Sequence, residues 1–306
     1  MKIVMLGAGA MGSLFGAMLS QSEEGEVWLL DIWREHINQI NSHGLIVESE
    51  GKELVYQLRA TTDPDEVGVA DLIIVFVKAY ITKAAVEYGL SMVGEETVFL
   101  SLQNGLGNIE SIKSAVRGAQ VIGGVTSQGS TVLGPGRIRH GGKGPTAVGG
   151  VKGKVTPEVE RISSLFNRAG IPTGVSDNIE CLIWEKLLIN VGINAVTAIT
   201  GLKNGELLEY DETKRLMTMA VQEAERVALK KGVPVRGNPA ETVLQVCKTT
   251  AQNRSSMGQD IDNRRRTEID FINGGIVKEG EALGIPTPVN ATLTYLIKTI
   301  EARFGA

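Results

Sequence analysis

The sequence predicts an α/β domain followed by an all-helical domain, and three observations predict it. A β-branched run, a glycine-rich turn and a helical pattern follow one another at the amino terminus. Several short apolar strands come next, and from about Ser176 the chain changes to long helical periods. With 306 residues there is enough chain for two domains, each with its own core. Hydrophobic residues make up 42% and charged residues 22%, the balance of a soluble globular protein. The net charge of −4 gives no general attraction to nucleic acid or to an anionic membrane, so neither is expected as a partner. Cys181 and Cys247 are too few for a disulfide framework and lack metal-ligand spacing. No metal is therefore expected, and the expected compartment is the reducing cytoplasm.

The first element is "KIVMLGAGAMGSLFGAMLS". Gly7, Gly9 and Gly12 match G-x-G-x-x-G, with Ala10 and Met11 inside the turn, and a second strand, "EVWLLD", begins at Glu26. The strand, turn, helix and strand close at Asp31, 24 residues after Gly7. That spacing is the Rossmann-type dinucleotide fingerprint. Gly7 makes the turn, Gly9 lets the backbone approach a pyrophosphate, Gly12 lets helix and strand pack closely, and the N–H groups opening the helix hold the phosphates. The plainer alternative is an ordinary βα turn. Residues 3 to 20 are also uncharged and follow Lys2, as in a signal peptide or short membrane span. Four glycines weaken the helix that either would require, so no targeting segment is expected.

Asp31 bears on the choice of cofactor. A carboxylate ending the second strand accepts hydrogen bonds from both ribose hydroxyls but repels a 2′-phosphate, which favours NADH. Arg34 follows closely and could stack on adenine or reach a phosphate; Asp31 could equally be a solvated loop acid. Further on, "ADLIIVFVKAY" (70–80) reads as a buried strand ending in Lys78, and "ETVFLSLQNGLGN" (96–108) as another ending in Asn104. Both polar residues fall just past the carboxyl ends of strands, where open parallel sheets bind ligands. Residues 120–150 read as short strands and glycine turns, 156–170 as an amphipathic helix, and "IPTGV" as a strand. "GPGRIRHGGKGP" (134–145) has glycines and basic residues but neither a phosphate-loop pattern nor interleaved aromatics, so a hairpin loop is expected.

The expected domains are 1–176 for dinucleotide binding and 177–306 for substrate and dimerisation, with ligands in the cleft between them. Helical patterns cover 178–200, 211–231, 239–252, 267–283 and 287–303, the first capped by Ser176 or Asp177 and stopped at Gly201. Within the first, "WEKLLINVGINAV" puts Lys186, Asn190 and Asn194 on one side of an otherwise apolar helix.

Hydride transfer to a carbonyl leaves negative charge on oxygen, so a reductase needs a proton donor or fixed positive charge beside it. The three histidines, His36, His43 and His140, are poorly placed for this. Lys186 is better placed. Loss of water would lower its pKa and make it a better acid, with Asn190 and Asn194 hydrogen-bonding substrate oxygens. Alternatively Lys186 snorkels to solvent and the asparagines bond neighbouring backbone.

"GAGAMG", "FVKAY", "LQNGLGN", "WEKLLINVGINA" and "SSMGQDIDNRRRTEIDFINGGI" occur in the order and spacing of the ketopantoate reductase (2-dehydropantoate 2-reductase) family, which the chain resembles over nearly its whole length. The resemblance implies NAD(P)H-dependent reduction of ketopantoate to pantoate, in the pantothenate branch of coenzyme A synthesis. It implies Lys186 as proton donor, Asn104 near nicotinamide and substrate, and Asn190 and Asn194 on substrate polar groups. It further implies Ser256 on the substrate carboxylate, Glu268 holding a hydroxyl or ordering Lys186, and Lys78 near the cofactor phosphate or ribose. The family usually has an arginine at the end of the second strand, suited to NADPH, where this chain has Asp31. A paralogue acting on another 2-oxo acid, a β-hydroxyacid dehydrogenase and a non-catalytic nucleotide-binding protein are the competing expectations. The expected assembly is a homodimer through the helical domain.

Overall fold

The computed structural model describes residues 1–22, 25–151, 153 and 155–304. The contacts divide them into two units: Met1–Gln103 with Asn108–Ile179, and Asn104–Gly107 with the chain from Glu180 onward.

In the first unit the order is β1 (Lys2–Leu6), α1 (Ala10–Leu19), β2 (Glu26–Leu30), α2 (Arg34–His43), β3 (Leu45–Ser49), β4 (Lys52–Tyr56), β5 (Arg59–Thr61), β6 (Ala70–Val75), α3 (Thr82–Tyr88), β7 (Val93–Ser101) and α4 (Asn108–Ala115). There follow β8 (Gln120–Thr126), β9 (Gly129–Gly134), β10 (Arg137–Gly142), β11 (Thr146–Gly150), α5 (Pro157–Arg168) and β12 (Thr173–Val175). An eight-stranded sheet runs β12-β11-β8-β7-β6-β1-β2-β5, parallel except where β8 meets β11. Its central strands are nearly continuous apolar runs because both faces are covered. The register sets Leu6 opposite Leu30 and Val75, and Val75 opposite Ser101, so four strands end on one row. The chain leaves β1 to one side for β2 and returns on the other as β6, which makes the β1/β6 boundary the switch point of the sheet.

A second sheet, β4-β3-β10-β9, lies against α1 on the side away from the first. Its presence explains why residues 3–20 carry no charge: seven of the ten residues of α1 are buried, with a sheet to either side. It also corrects the expected loop at 134–145. Only the Gly134–Gly136 turn is a hairpin connection; Arg137–Gly142 is β10. The basic residues there pair with carboxylates of β3, β4 and the turn joining them: Arg137 with Glu48 and Glu53, Arg139 with Glu48, and Lys143 with Glu50.

The second unit comprises α6 (Ile179–Thr200), α7 (Asp211–Lys231), α8 (Pro239–Thr249), α9 (Ser256–Asp262), α10 (Asn273–Leu283) and α11 (Pro288–Ala302). The central helix α6 is long and apolar enough to cross a membrane by composition, but Trp184, Leu187, Leu188, Val191, Ile193 and Val196 are all buried in its own unit. A buried polar network joins the helices. Glu223 of α7 accepts the Val289 and Asn290 N–H groups and the Asn290 amide, while Asn273 donates to Asn290 and to the Val191 carbonyl of α6. Each such group would destabilise the core by about 1–3 kcal/mol if unpaired. The expected helix 267–283 is broken: a short 3-10 turn, Ile269–Phe271, precedes α10, and Ile272 (φ −102, ψ −95) interrupts the two. Helix α8 stops at Thr249, three residues short of the expected 252, and α9 falls in a segment where no helix is expected.

Candidate active site

The glycine turn of the first unit sits on the row where β1, β2 and β6 end. Gly7 is held at φ +102, and a Cβ there would meet the Val77 nitrogen at 2.8 Å, so only glycine fits. A Cβ on Gly12 would lie 1.8 Å from the Gly7 carbonyl oxygen. At Gly9, by contrast, nothing lies within 4 Å of the position a Cβ would take. The middle glycine thus faces open space at the start of α1, where helix N–H groups favour an anion. Ala10 and Met11 form the first turn of that helix, both half-buried.

Asp31, one residue past β2, is fastened to this turn. One carboxylate oxygen accepts the Ala8 N–H at 2.7 Å and the other accepts the Trp33 N–H at 3.0 Å. It is therefore no mere solvated loop acid, and each oxygen keeps further acceptor capacity for a ribose hydroxyl. Arg34 opens α2, exposed, three residues on. Lys78 is half-buried just past β6, at the start of the 3-10 turn Ala79–Ile81. Its loop is pinned by a residue that sequence reasoning missed. The Gln103 amide donates to the Val77 carbonyl at 2.6 Å and to Thr82 Oγ1 at 2.7 Å. The only sequence signal for Gln103 is its place in "LQNG", beside the asparagine that drew attention.

In the second unit, Lys186 and Asn190 are half-buried on α6 and Asn194 is 5% exposed. Loss of water pulls the Lys186 pKa down from 10.5 to about 8, with the Glu268 carboxylate opposing the fall. Glu268 is buried immediately before the Ile269–Phe271 turn. The Asn104–Gly107 loop is held to that same turn: the Leu106 N–H donates to the Phe271 carbonyl at 2.9 Å. Gly105 (φ +82) passes so close that a Cβ would meet the Phe271 oxygen at 2.5 Å. Asn104 and Glu268 are accordingly carried on two segments bonded to each other.

The two serines of "SSMGQD" divide their labour. Ser255 is buried; its hydroxyl accepts the Gly258 N–H at 2.9 Å as the cap of α9 and shares a 2.5 Å hydrogen bond with Thr197. Thr197 in turn donates to the Asn194 carbonyl at 3.0 Å. Arg254 adds a two-pronged ion pair to Asp262 and bonds to the Thr197 and Leu202 carbonyls. Ser256, next along, is exposed on the first turn of α9. Ser255 and Arg254 brace α9 against the carboxyl-terminal half of α6, and Ser256 is left exposed.

A mostly parallel sheet with a glycine turn at its switch point, and a helical unit with a poorly hydrated lysine in the field of a carboxylate, are the equipment of a dinucleotide-dependent oxidoreductase. The chain belongs to the ketopantoate reductase PanE/ApbA family: residues 3–153 match that family and residues 178–301 its C-terminal domain. It is 36% identical over 299 residues to the 2-dehydropantoate 2-reductase of Halobacterium salinarum, covering 97% of this chain and 98% of that one. The crystal structure of a PanE/ApbA family ketopantoate reductase from Ralstonia eutropha superposes with a TM-score of 0.92 at 32% identity, over 100% of both chains. A D-mandelate dehydrogenase, solved with NADH and anilino(oxo)acetate, superposes with the same TM-score at 31% identity, again over 100% of both.

Proposed function

We propose that this protein reduces ketopantoate to pantoate with a nicotinamide dinucleotide as co-substrate. The observation that carries the reading is Lys186, partly stripped of water and within the field of the Glu268 carboxylate, on a helix whose same side bears Asn190 and Asn194.

The residues at the turn fit a dinucleotide. The open side of Gly9 admits a pyrophosphate against the start of α1, Asp31 accepts from the ribose hydroxyls, and Lys78 reaches a phosphate or ribose. When bound, the reduced nicotinamide supplies the hydride that reaches the ketone carbon. The rest is the work of the chain. Lys186 Nζ donates a proton to the ketone oxygen as charge builds there, completing the alcohol, and the neutral amine regains a proton from solvent. With a pKa of about 8 the amine is mostly charged at neutral pH, yet it is a stronger acid than an ordinary lysine. Asn190, Asn194 and Asn104 hydrogen-bond polar groups of the oxo acid, Ser256 binds its carboxylate, and Glu268 holds its hydroxyl or orders Lys186.

Asp31 supports NADH as the preferred donor, because a 2′-phosphate would be brought up to a carboxylate. The same residue favours one second reading, a paralogue that reduces a different 2-oxo acid, since the D-mandelate dehydrogenase with this fold was solved with NADH. Initial rates with ketopantoate and with an aryl 2-oxo acid, each with NADH and NADPH, test both readings. Faster turnover of ketopantoate supports the first, and faster turnover of the aryl acid replaces it with the second. Oxidation of 3-hydroxyisobutyrate or 6-phosphogluconate in place of either would move the protein to the β-hydroxyacid dehydrogenases. The assembly and compartment that go with this reading are a homodimer through the helical unit, supported by the exposed Tyr295 and Leu296 of α11, and the cytoplasm.

A further inference from the structure

His36 belongs to none of the chemistry above, yet it is 0% exposed and both ring nitrogens are engaged. Nδ1 accepts the Gly136 N–H at 3.0 Å, from the turn between β9 and β10. A nitrogen that accepts carries no proton, so in the neutral ring the hydrogen sits on Nε2 and is donated to Ser13 Oγ at 3.1 Å. The Ser13 hydroxyl then donates to the Ala8 carbonyl at 2.8 Å. Ala8 is the residue between Gly7 and Gly9, and its N–H is the one held by Asp31. Both backbone polar groups at the centre of the turn are thus fixed, one by Asp31 and one through the ring.

We infer that His36 is a positioning residue for the dinucleotide turn. The bonds from Gly136 through the ring and Ser13 to Ala8 hold the turn in shape, and dinucleotide affinity depends on that ring staying neutral. This rests on the reading of the turn as a dinucleotide site. A protonated ring has no acceptor, so Nδ1–H and the Gly136 N–H would face each other as two donors. Burial holds the His36 pKa below 6.5, opposed by the Asp31 charge and by the Ala8 backbone. The charged groups of the adjoining elements are exposed or paired with one another. Arg34 and Glu35 of α2 are exposed, α1 carries no acidic residue in its first turn and no basic one in its last, Arg137 of β10 is paired with Glu48 and Glu53, and Arg59 of β5 with Glu26. Trp33 lies flat on the ring, 4.7 Å between centroids, and covers its face.

The test is calorimetric titration of the full-length protein with NADH, and with acid-stable ADP-ribose, from about pH 5 to about pH 8. The wild-type affinity should be constant above about pH 6.5 and fall about fivefold or more toward pH 5 in a one-proton step. In His36→Gln, whose amide keeps a donor for Ser13 but does not titrate, the step should be absent. Nitrogen NMR of the wild-type ring should find the neutral form protonated on Nε2, a readout that stands even if the variant fails to fold. Measurable binding with no step, a step retained in His36→Gln, or affinity that rises toward acid would each overturn the inference and leave the dinucleotide reading intact. Failure to bind either probe at any pH would remove that reading and this inference together.

Discussion

Glu268 and Lys186 form a charge pair whose two influences on the amine oppose each other: burial lowers the Lys186 pKa to about 8, and the carboxylate keeps it from falling further. In the proposed mechanism the amine donates its proton, so kcat/KM should be level up to about pH 7 and decline above about pH 8. Glu268→Gln removes the opposing charge while keeping the shape, and should move that alkaline limb to lower pH. Lys186→Ala should lower turnover by roughly 10²–10⁴ with dinucleotide affinity nearly unchanged. Equal loss of both in a rate and titration experiment would make Lys186 a structural residue.

The same amine should cost stability. A lysine whose folded pKa is depressed is bound to its proton more tightly in the unfolded chain, so the fold is penalised below about pH 8 and the penalty fades toward pH 10.5, the ordinary lysine value. Lys186→Met should therefore stabilise the protein at neutral pH, on the order of 2 kcal/mol once partial exposure is discounted. The difference in unfolding free energy between variant and wild type should shrink as denaturant melts are repeated at rising pH. A gain that persists undiminished at high pH would assign it to packing.

Because Asp31 holds the Ala8 N–H and, in the proposed function, also accepts from the ribose, changing it should do two things at once. Asp31→Ala loses an anchor of the turn, and NADH affinity should drop by roughly 1–3 kcal/mol. The NADH/NADPH ratio of kcat/KM should fall mainly through loss of the NADH value. Asp31→Arg should add a gain with NADPH. An unaltered ratio in both variants would take Asp31 out of cofactor selection.

Two adjacent serines should separate cleanly. Ser255→Ala deletes a helix cap and the bond to Thr197, and should lower stability by about 1–2 kcal/mol. Ser256→Ala should leave the melting temperature unchanged and raise KM for the oxo acid. The reverse pattern in thermal melts and steady-state rates would exchange their roles.

What could be read from the chain was whatever is decided locally. The strand, turn and helix around Gly7 show in a glycine spacing and a change of period, and α6 and α7 show in long helical patterns. What escaped depends on distant partners. The second sheet joins Ile46 to Arg137, and β4 is exposed at four of its five residues, so no alternation announces it. The helix expected at 267–283 hid the break at Ile272, which lets Glu268 sit outside α10. Nothing in "SS" says which serine caps and which stays exposed. Nothing in the sequence marks His36, because its partners Gly136 and Ser13 come together only in the folded unit.

The 1.8 Å separation that a methyl group on residue 12 would have from the oxygen of residue 7 has a consequence for how such fingerprints are interpreted. The third glycine is enforced by backbone meeting backbone, before any nucleotide arrives. A descendant that abandoned redox chemistry altogether would still be held to it by the need to fold. Its persistence in a lineage records inherited architecture, whereas the residue whose side is open, Gly9, is the one free to drift once nothing has to be seated there.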